Sequence, residues 1–177
     1  MDLKNIINEE VSNFLNERIQ INNLPEDIVI LEKTNEPPKT KFYLFFDTAN
    51  EQPVGYIAVD YYDKLDTYSV LGAFVNEEYD EFGYGPFLYE SAMTAVYPDG
   101  IIPSYDNMTS GDAQYVWDRF YKDRPDVKKE KIGRKTKIIY SYGKNLLNNL
   151  IERGNQYKIE NNITNDDING MVMDIER

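Results

Sequence analysis

Val75-Asn76-Glu77-Glu78-Tyr79-Asp80-Glu81-Phe82-Gly83-Tyr84-Gly85-Pro86-Phe87-Leu88 is the stretch on which the reading of the fold turns. Val75 closes an extended run that starts at Tyr68, and Pro86 to Val96 has a helix-like pattern. A strand thus feeds a Gly-x-Gly turn, and the turn opens a helix. That geometry presents successive backbone N–H groups at the positive end of a helix, which suits a phosphate or pyrophosphate. Glycine serves where the turn or the ligand leaves no room for a Cβ. A Gly-x-Gly pair also occurs in ordinary tight turns. The carboxylates Glu77, Glu78, Asp80 and Glu81 read as a solvated loop whose field attracts a cationic partner.

Outward from this stretch the chain alternates apolar runs with breakers. Residues 2–19 place Leu3, Ile6, Ile7, Val11, Phe14 and Leu15 at helical spacing, and Asn22 to Asp27 reads as a loop. Ile28-Val29-Ile30-Leu31 is a first strand, broken by Asn35-Glu36-Pro37-Pro38. Phe42 to Phe46 and Val54 to Tyr62 form a hairpin across a polar turn with Pro53, and Tyr68 to Val75 completes a three-strand meander. Pro86 then stands at the favoured first position of a helix. Ile101-Ile102-Pro103 is a short extended piece, and Ser110 caps a helix through Ala113, Val116, Trp117 and Phe120 that ends before Pro125. Val127 to Tyr142 reads as a hairpin turning near Gly133-Arg134. A short helix over Leu146, Leu147, Leu150 and Ile151 and a polar tail follow. The expected organisation is an N-terminal helix and linker (1–27), a central domain (28–142) and a C-terminal helix with tail (143–177). The fold class is α/β (α+β), a mixed and mostly antiparallel sheet flanked by helices.

Composition narrows the chemistry. The chain has 177 residues, with 19 Lys plus Arg against 31 Asp plus Glu, so its net charge is 19 − 31 = −12. It contains no His and no Cys, which removes disulfides, thiol nucleophiles, Ser-His-Asp triads and metal sites built on those ligands. Proton transfer falls to Asp, Glu, Tyr, Lys or water. No stretch approaches the roughly 20 apolar residues of a membrane span, and the first residues lack a secretory pattern. A soluble, cytoplasmic protein without membrane or nucleic-acid partners is expected. Lys122 to Lys137 is locally basic and reads as a solvated hairpin with lysines outward, with a phosphate contact as the alternative. Net charge also admits an acidic mimic of nucleic acid. Asn165-x-Asp167-x-Asn169-Gly170 with Glu176 has calcium-loop spacing but starts on Asn, and polar tails produce such matches readily, so no metal is expected.

Val75, Glu78-Tyr79, Gly83, Gly85 and Leu88 fall without a gap at the spacing of the GNAT superfamily of acyl-CoA-dependent N-acetyltransferases, which residues 28–142 resemble. From Gly83 to Pro125, with Gly-Tyr-Gly-Pro, Ser110 and Ala113-Gln114-x-Val116-Trp117, the chain further resembles GNAT-like proteins of tailed bacteriophages. The resemblance implies acetyl-CoA as co-substrate. Val75 would end a strand that splays from its neighbour and bonds the pantetheine arm, and Phe82, Gly83, Tyr84 and Gly85 would hold the pyrophosphate. An acceptor amine, on a protein or a small molecule, would attack the thioester. The implied catalytic pair is Tyr121 as acid and Asp106 near the amine; Asp106 reads otherwise as a solvated turn or cap. A phage origin would place the protein in the host cytoplasm or the virion.

The chain departs from the family pattern in several places. Asp80 stands where Arg or Gln is usual, and each carboxylate near a pyrophosphate costs on the order of 1 kcal/mol. Pro86 has no N–H to donate. Trp117 replaces the usual Tyr, leaving Tyr121 one turn further along the same face. Asn35 to Lys41 leaves no space for the two helices usual between the first strands, so the N-terminal helix is expected to cover that surface. These departures support an alternative, a GNAT-like protein that has lost catalysis and acts by binding a partner.

Overall fold

The computed structural model describes residues 24–33, 37, 39–105 and 109–176. The N-terminal helix expected over 2–19 lies outside the described residues, as does Asp106. Seven strands form one sheet: β1 Ile28–Glu32, β2 Thr40–Asp47, β3 Gln52–Tyr62, β4 Thr67–Val75, β5 Ile101–Ile102, β6 Lys128–Ile132 and β7 Lys135–Ile139. Their order is β1-β2-β3-β4-β5-β7-β6. Every neighbouring pair is antiparallel except β4 and β5, which run parallel. The helices are α1 Tyr84–Ala95, α2 Gly111–Lys122, α3 Lys144–Glu160 and α4 Asn165–Ile175. A 3-10 helix, Glu77–Phe82, joins β4 to α1.

The first strands are continuously apolar because both faces of the sheet are covered there. Successive side chains of a strand point to opposite faces. Ile28, Ile30, Tyr43, Phe45, Ile57 and Val59 enter a core with α1, α2 and α3. Val29, Leu31, Phe42, Leu44, Phe46 and Tyr56 enter a second core with Ile168 of α4. At the sheet edge α3 lies so close to β1 that a Cβ on Gly154 would fall 1.8 Å from the Ile30 carbonyl oxygen. Gly154 is what allows that approach.

α1 is buried along most of its length and brings polar groups inside, each with a partner. The Thr94 hydroxyl donates to the Glu90 carbonyl at 2.8 Å, and Ser91 Oγ lies 3.0 Å from the Tyr142 hydroxyl. The Glu90 carboxylate accepts from Arg124, which also forks onto Asp126. Phe120 and Tyr140 flank that guanidinium at 5.4 and 5.1 Å. Trp117 is 1% exposed and meets Tyr89 edge-on, a core position as its helical face suggested.

Two segments differ from their sequence reading, and a third agrees with it. Residues 165–175, read as part of a polar tail, form a helix whose start Thr164 and Asp167 close with a reciprocal capping box. The tail is therefore α4, and it lies on β3. The acidic residues 77–82 are a capped 3-10 helix rather than a loop. The basic segment forms the β6–β7 hairpin with Lys128, Lys129 and Lys131 outward, and Glu130 pairs with Lys128 and Lys137.

Candidate functional site

β4 is the strand that makes a site. Its register with β3 extends from Gly55↔Val75 to Tyr62↔Thr67, whereas with β5 it has two pairs, Tyr68↔Ile101 and Ser69↔Ile102. Past Ser69 no described strand borders its other edge. The ladder with β3 shifts between Ala58 and Val59, so that Leu71 is an extra residue on β4. Such a bulge bends its strand and increases the local twist. The chain leaving β5 is tied on both sides: Lys135 of β7 donates to the carbonyls of Pro103 and Ser104 at 3.3 and 2.6 Å, and the Tyr105 amide donates to the Ser69 hydroxyl of β4 at 3.2 Å. Leu71 and Phe74 stand exposed on the open part of β4, at 55% and 46%.

The open edge leads directly into the glycine turn. Gly83 has φ 80°, a left-handed conformation that suits Gly, and it ends the 3-10 helix while starting α1. Gly83, Tyr84 and Gly85 supply the first amides of α1, which have no carbonyl one turn upstream within the helix, and no side chain caps them. α1 starts at Tyr84, so Pro86 is its third residue rather than its first. A Cβ on Gly85 would lie 3.9 Å from Val75 Cγ2, which places the end of β4 beside the start of the helix.

The 3-10 helix is latched to the β2–β3 turn. Asn76 donates from its backbone to Val54 O and from its side chain to Pro53 O, both at 2.9 Å. Asp47, 8% exposed, accepts from the amides of Ala49 and Asn50 at 3.0 and 3.1 Å, from Asn50 Nδ2 at 2.8 Å and from the Tyr79 hydroxyl at 2.9 Å. Burial raises the Asp47 pKa, but the hydrogen bonds from Asn50, Tyr79 and Ala49 outweigh it and hold the carboxyl below the usual carboxylate range. The Tyr79 hydroxyl is pushed up to about 12, first by burial and then by Asp47. Tyr84 is buried against Tyr79, with ring centroids 5.9 Å apart.

Charge at the turn is mixed. Asp80 is exposed, and its pKa is raised by partial desolvation and by the neighbouring carboxylates Glu77 and Asp112. Beside the start of α1, a shallow depression is lined by Pro86, Val116, Arg119, Phe120, Asp123 and Arg124. Arg124 is committed to Glu90 and Asp126, and Arg119 approaches the Tyr115 ring at 5.9 Å.

Val75, Phe82, Gly83, Tyr84 and Gly85 are thus brought together at one place. Phe82 is 55% exposed, and Tyr84 points inward. Tyr121 lies on α2, against Trp117, and its hydroxyl donates to the Thr136 carbonyl of β7 at 3.2 Å. Burial and then Asp118 push its pKa up to about 12, so it is protonated at neutral pH. Sequence reasoning missed Asp47 and Arg119. Asp47-Thr48-Ala49-Asn50 carries the signal of an Asx turn; Arg119 has none, because its relation to Pro86 is set by how α2 lies on α1.

No family model, no curated protein and no solved structure matches the chain. Among the described residues no group of His, Cys, Asp and Glu is arranged to hold a metal ion, and no helix is long and apolar enough to cross a membrane.

Proposed function

We propose that the protein transfers an acetyl group from acetyl-CoA to an amine, as the resemblance to GNAT enzymes implies. The observation that carries this reading is that β4 leaves β5 after two residue pairs and runs, with no strand along that edge among the described residues, into a helix start whose amides sit at Gly83, Tyr84 and Gly85. An open strand edge offers alternating N–H and C=O groups to an extended amide-containing arm, as in strand addition. A helix start at the end of that edge offers amides and a positive dipole to phosphates. Pantetheine pyrophosphate has both features, joined in that order. Val75 would accompany the arm, Gly83 to Gly85 the pyrophosphate, and Arg119 would add positive charge at the neighbouring depression. The arm would bring the thioester carbonyl to β4 near Leu71, open to attack by an amine. Tyr121 carries a proton at neutral pH and would have to release the Thr136 carbonyl to protonate the departing thiolate.

Two observations favour the second reading, a protein of this fold that binds a partner without catalysis. The turn is flanked by Glu77, Glu78, Asp80 and Glu81, and the hydroxyl of Tyr121 is already engaged. Under that reading the protein is a phage component or a modulator of a host factor.

Calorimetric titration with acetyl-CoA distinguishes the two. A Cβ fits at Gly85, so Gly85→Glu adds a carboxylate at the helix start without a steric clash. Micromolar binding by the wild type, lost in Gly85→Glu, is the result expected for the enzyme. No binding at millimolar acetyl-CoA overturns it in favour of partner binding.

A further inference from the structure

At the end of α1 away from the glycine turn, the β6–β7 hairpin lines an open groove of about 420 Å³. That volume falls among those of small-molecule sites, roughly 300–1,000 Å³. Lys128 stands opposite Ile139 in the ladder and Glu130 opposite Lys137, so all four share one face of the hairpin. Both ammonium groups converge on one carboxylate: Glu130 Oε1 lies 2.5 Å from Lys128 Nζ, and Oε2 lies 3.2 Å from Lys137 Nζ. Among the described residues neither ammonium has another partner, so each keeps N–H groups for a further acceptor. Asp126, the other carboxylate of the groove, is held by the Arg124 fork. The Lys137 side chain is only 14% exposed, and its stem runs where a Cβ on Gly100 would lie 3.0 Å from its Cγ. That placement sets it apart from the solvated lysines that guard an edge strand. Tyr97, just past α1, is half exposed and presents its ring to the groove. Its phenol stands by Lys128, whose pKa is raised first by Glu130 and more weakly by Tyr97.

We propose that this groove is a second binding site, separate from the glycine turn, for a small aromatic acid: a planar ring carrying a carboxylate or a phosphate. The acid group takes the remaining N–H groups of Lys128 and Lys137. Their convergence on the two oxygens of Glu130 shows that they suit an anion with a pair of terminal oxygens. The ring lies against Tyr97 and stacks on a face that is otherwise solvated. Charge favours the anion locally although the whole chain is acidic: Lys122 to Lys137 holds eight bases and three acids, a net of 8 − 3 = +5. Glu130 is then a competitor built into the site, and removing its charge strengthens binding. The inference stands apart from the acetyl-transfer reading and uses none of its residues.

The full chain is titrated with AMP and with indole-3-carboxylate, which carry the two acid groups, and with adenosine, indole and inorganic phosphate as their halves. Wild type should bind at least one of the acids about tenfold tighter than its uncharged counterpart and than phosphate, and which acid it prefers identifies the group. Lys128→Met and Lys137→Met should each weaken that binding about tenfold. Tyr97→Ala should weaken it about threefold, and Glu130→Gln should tighten it about threefold. Lys128 is exposed, so Lys128→Met should melt like wild type and decides the matter even where Lys137→Met is unstable. Neither acid binding at millimolar concentration, equal affinity in wild type and Lys128→Met, weaker binding by Glu130→Gln, or phosphate matching the acids overturns the site. Saturating acetyl-CoA should leave the affinity as it was; displacement of the acid would put it at the glycine turn and overturn the groove.

Discussion

The two edges of β4 are held in different ways. Toward β3 it is a full ladder member, with backbone pairing from Thr67 to Val75. Toward β5 it has two residue pairs, and the β5–β7–β6 half is joined to the rest by side chains and by α1 instead. Arg124 bonds Glu90 of α1, Tyr142 lies 3.0 Å from Ser91, and the Tyr105 amide donates to Ser69 at 3.2 Å. A sheet that gives up half a ladder loses backbone hydrogen bonds, each worth about 0.5–1.5 kcal/mol net. The difference teaches that one strand can be held by a backbone ladder along one edge and by side chains along the other.

The largest expected effect comes from breaking the side-chain bridge that replaces the missing ladder. Arg124→Ala leaves Glu90 buried without its cation, which costs about 3–5 kcal/mol; thermal unfolding should show a large loss. On the laddered side, Gly154→Ala drives a Cβ into the Ile30 carbonyl and forces α3 off β1. About 3 kcal/mol of overpacking cost is expected in denaturant melts.

Between the two edges, Asp47 ties the segment that leads from β4 to α1. Asp47→Asn should cost about 1–3 kcal/mol, since buried donors lose their charged acceptor. Its pH dependence has a definite sign. The folded pKa lies below the unfolded value of about 4, so this contribution is full above that value and is lost as pH falls through the folded pKa. Wild type should lose more stability than Asp47→Asn on acidification below about pH 4. The smallest effect belongs to the open edge. Leu71→Ser should alter stability by no more than about 0.5 kcal/mol while weakening acetyl-CoA binding, a split that a titration and a melt on the same sample reveal.

Much of this was readable from residues. Ile28 to Leu31, Phe42 to Phe46 and the run ending at Val75 announced the meander through apolar runs bounded by turn residues. Ser110 announced its helix, and it caps Ala113 as read. The glycine turn was legible because Gly83 and Gly85 sit between a strand pattern and a helix pattern. Long-range partnerships were not legible. Nothing local indicates that Tyr79 would find Asp47, or that Glu176 would reach Tyr56 across 120 positions. The polar tail was misread because α4 hides one apolar side chain, Ile168, among Asn and Asp, and its helix depends on the Thr164–Asp167 box and on docking to β3.

Amide hydrogen exchange along β4, with and without acetyl-CoA, tests the central claim most directly. The amides of residues 71–75 that are not bonded to β3, and those of Gly83 to Gly85, should gain protection on adding acetyl-CoA, while the β3-bonded amides of β4 stay as they were. Protection unchanged at both places, with the protein folded and acetyl-CoA in millimolar excess, would contradict it.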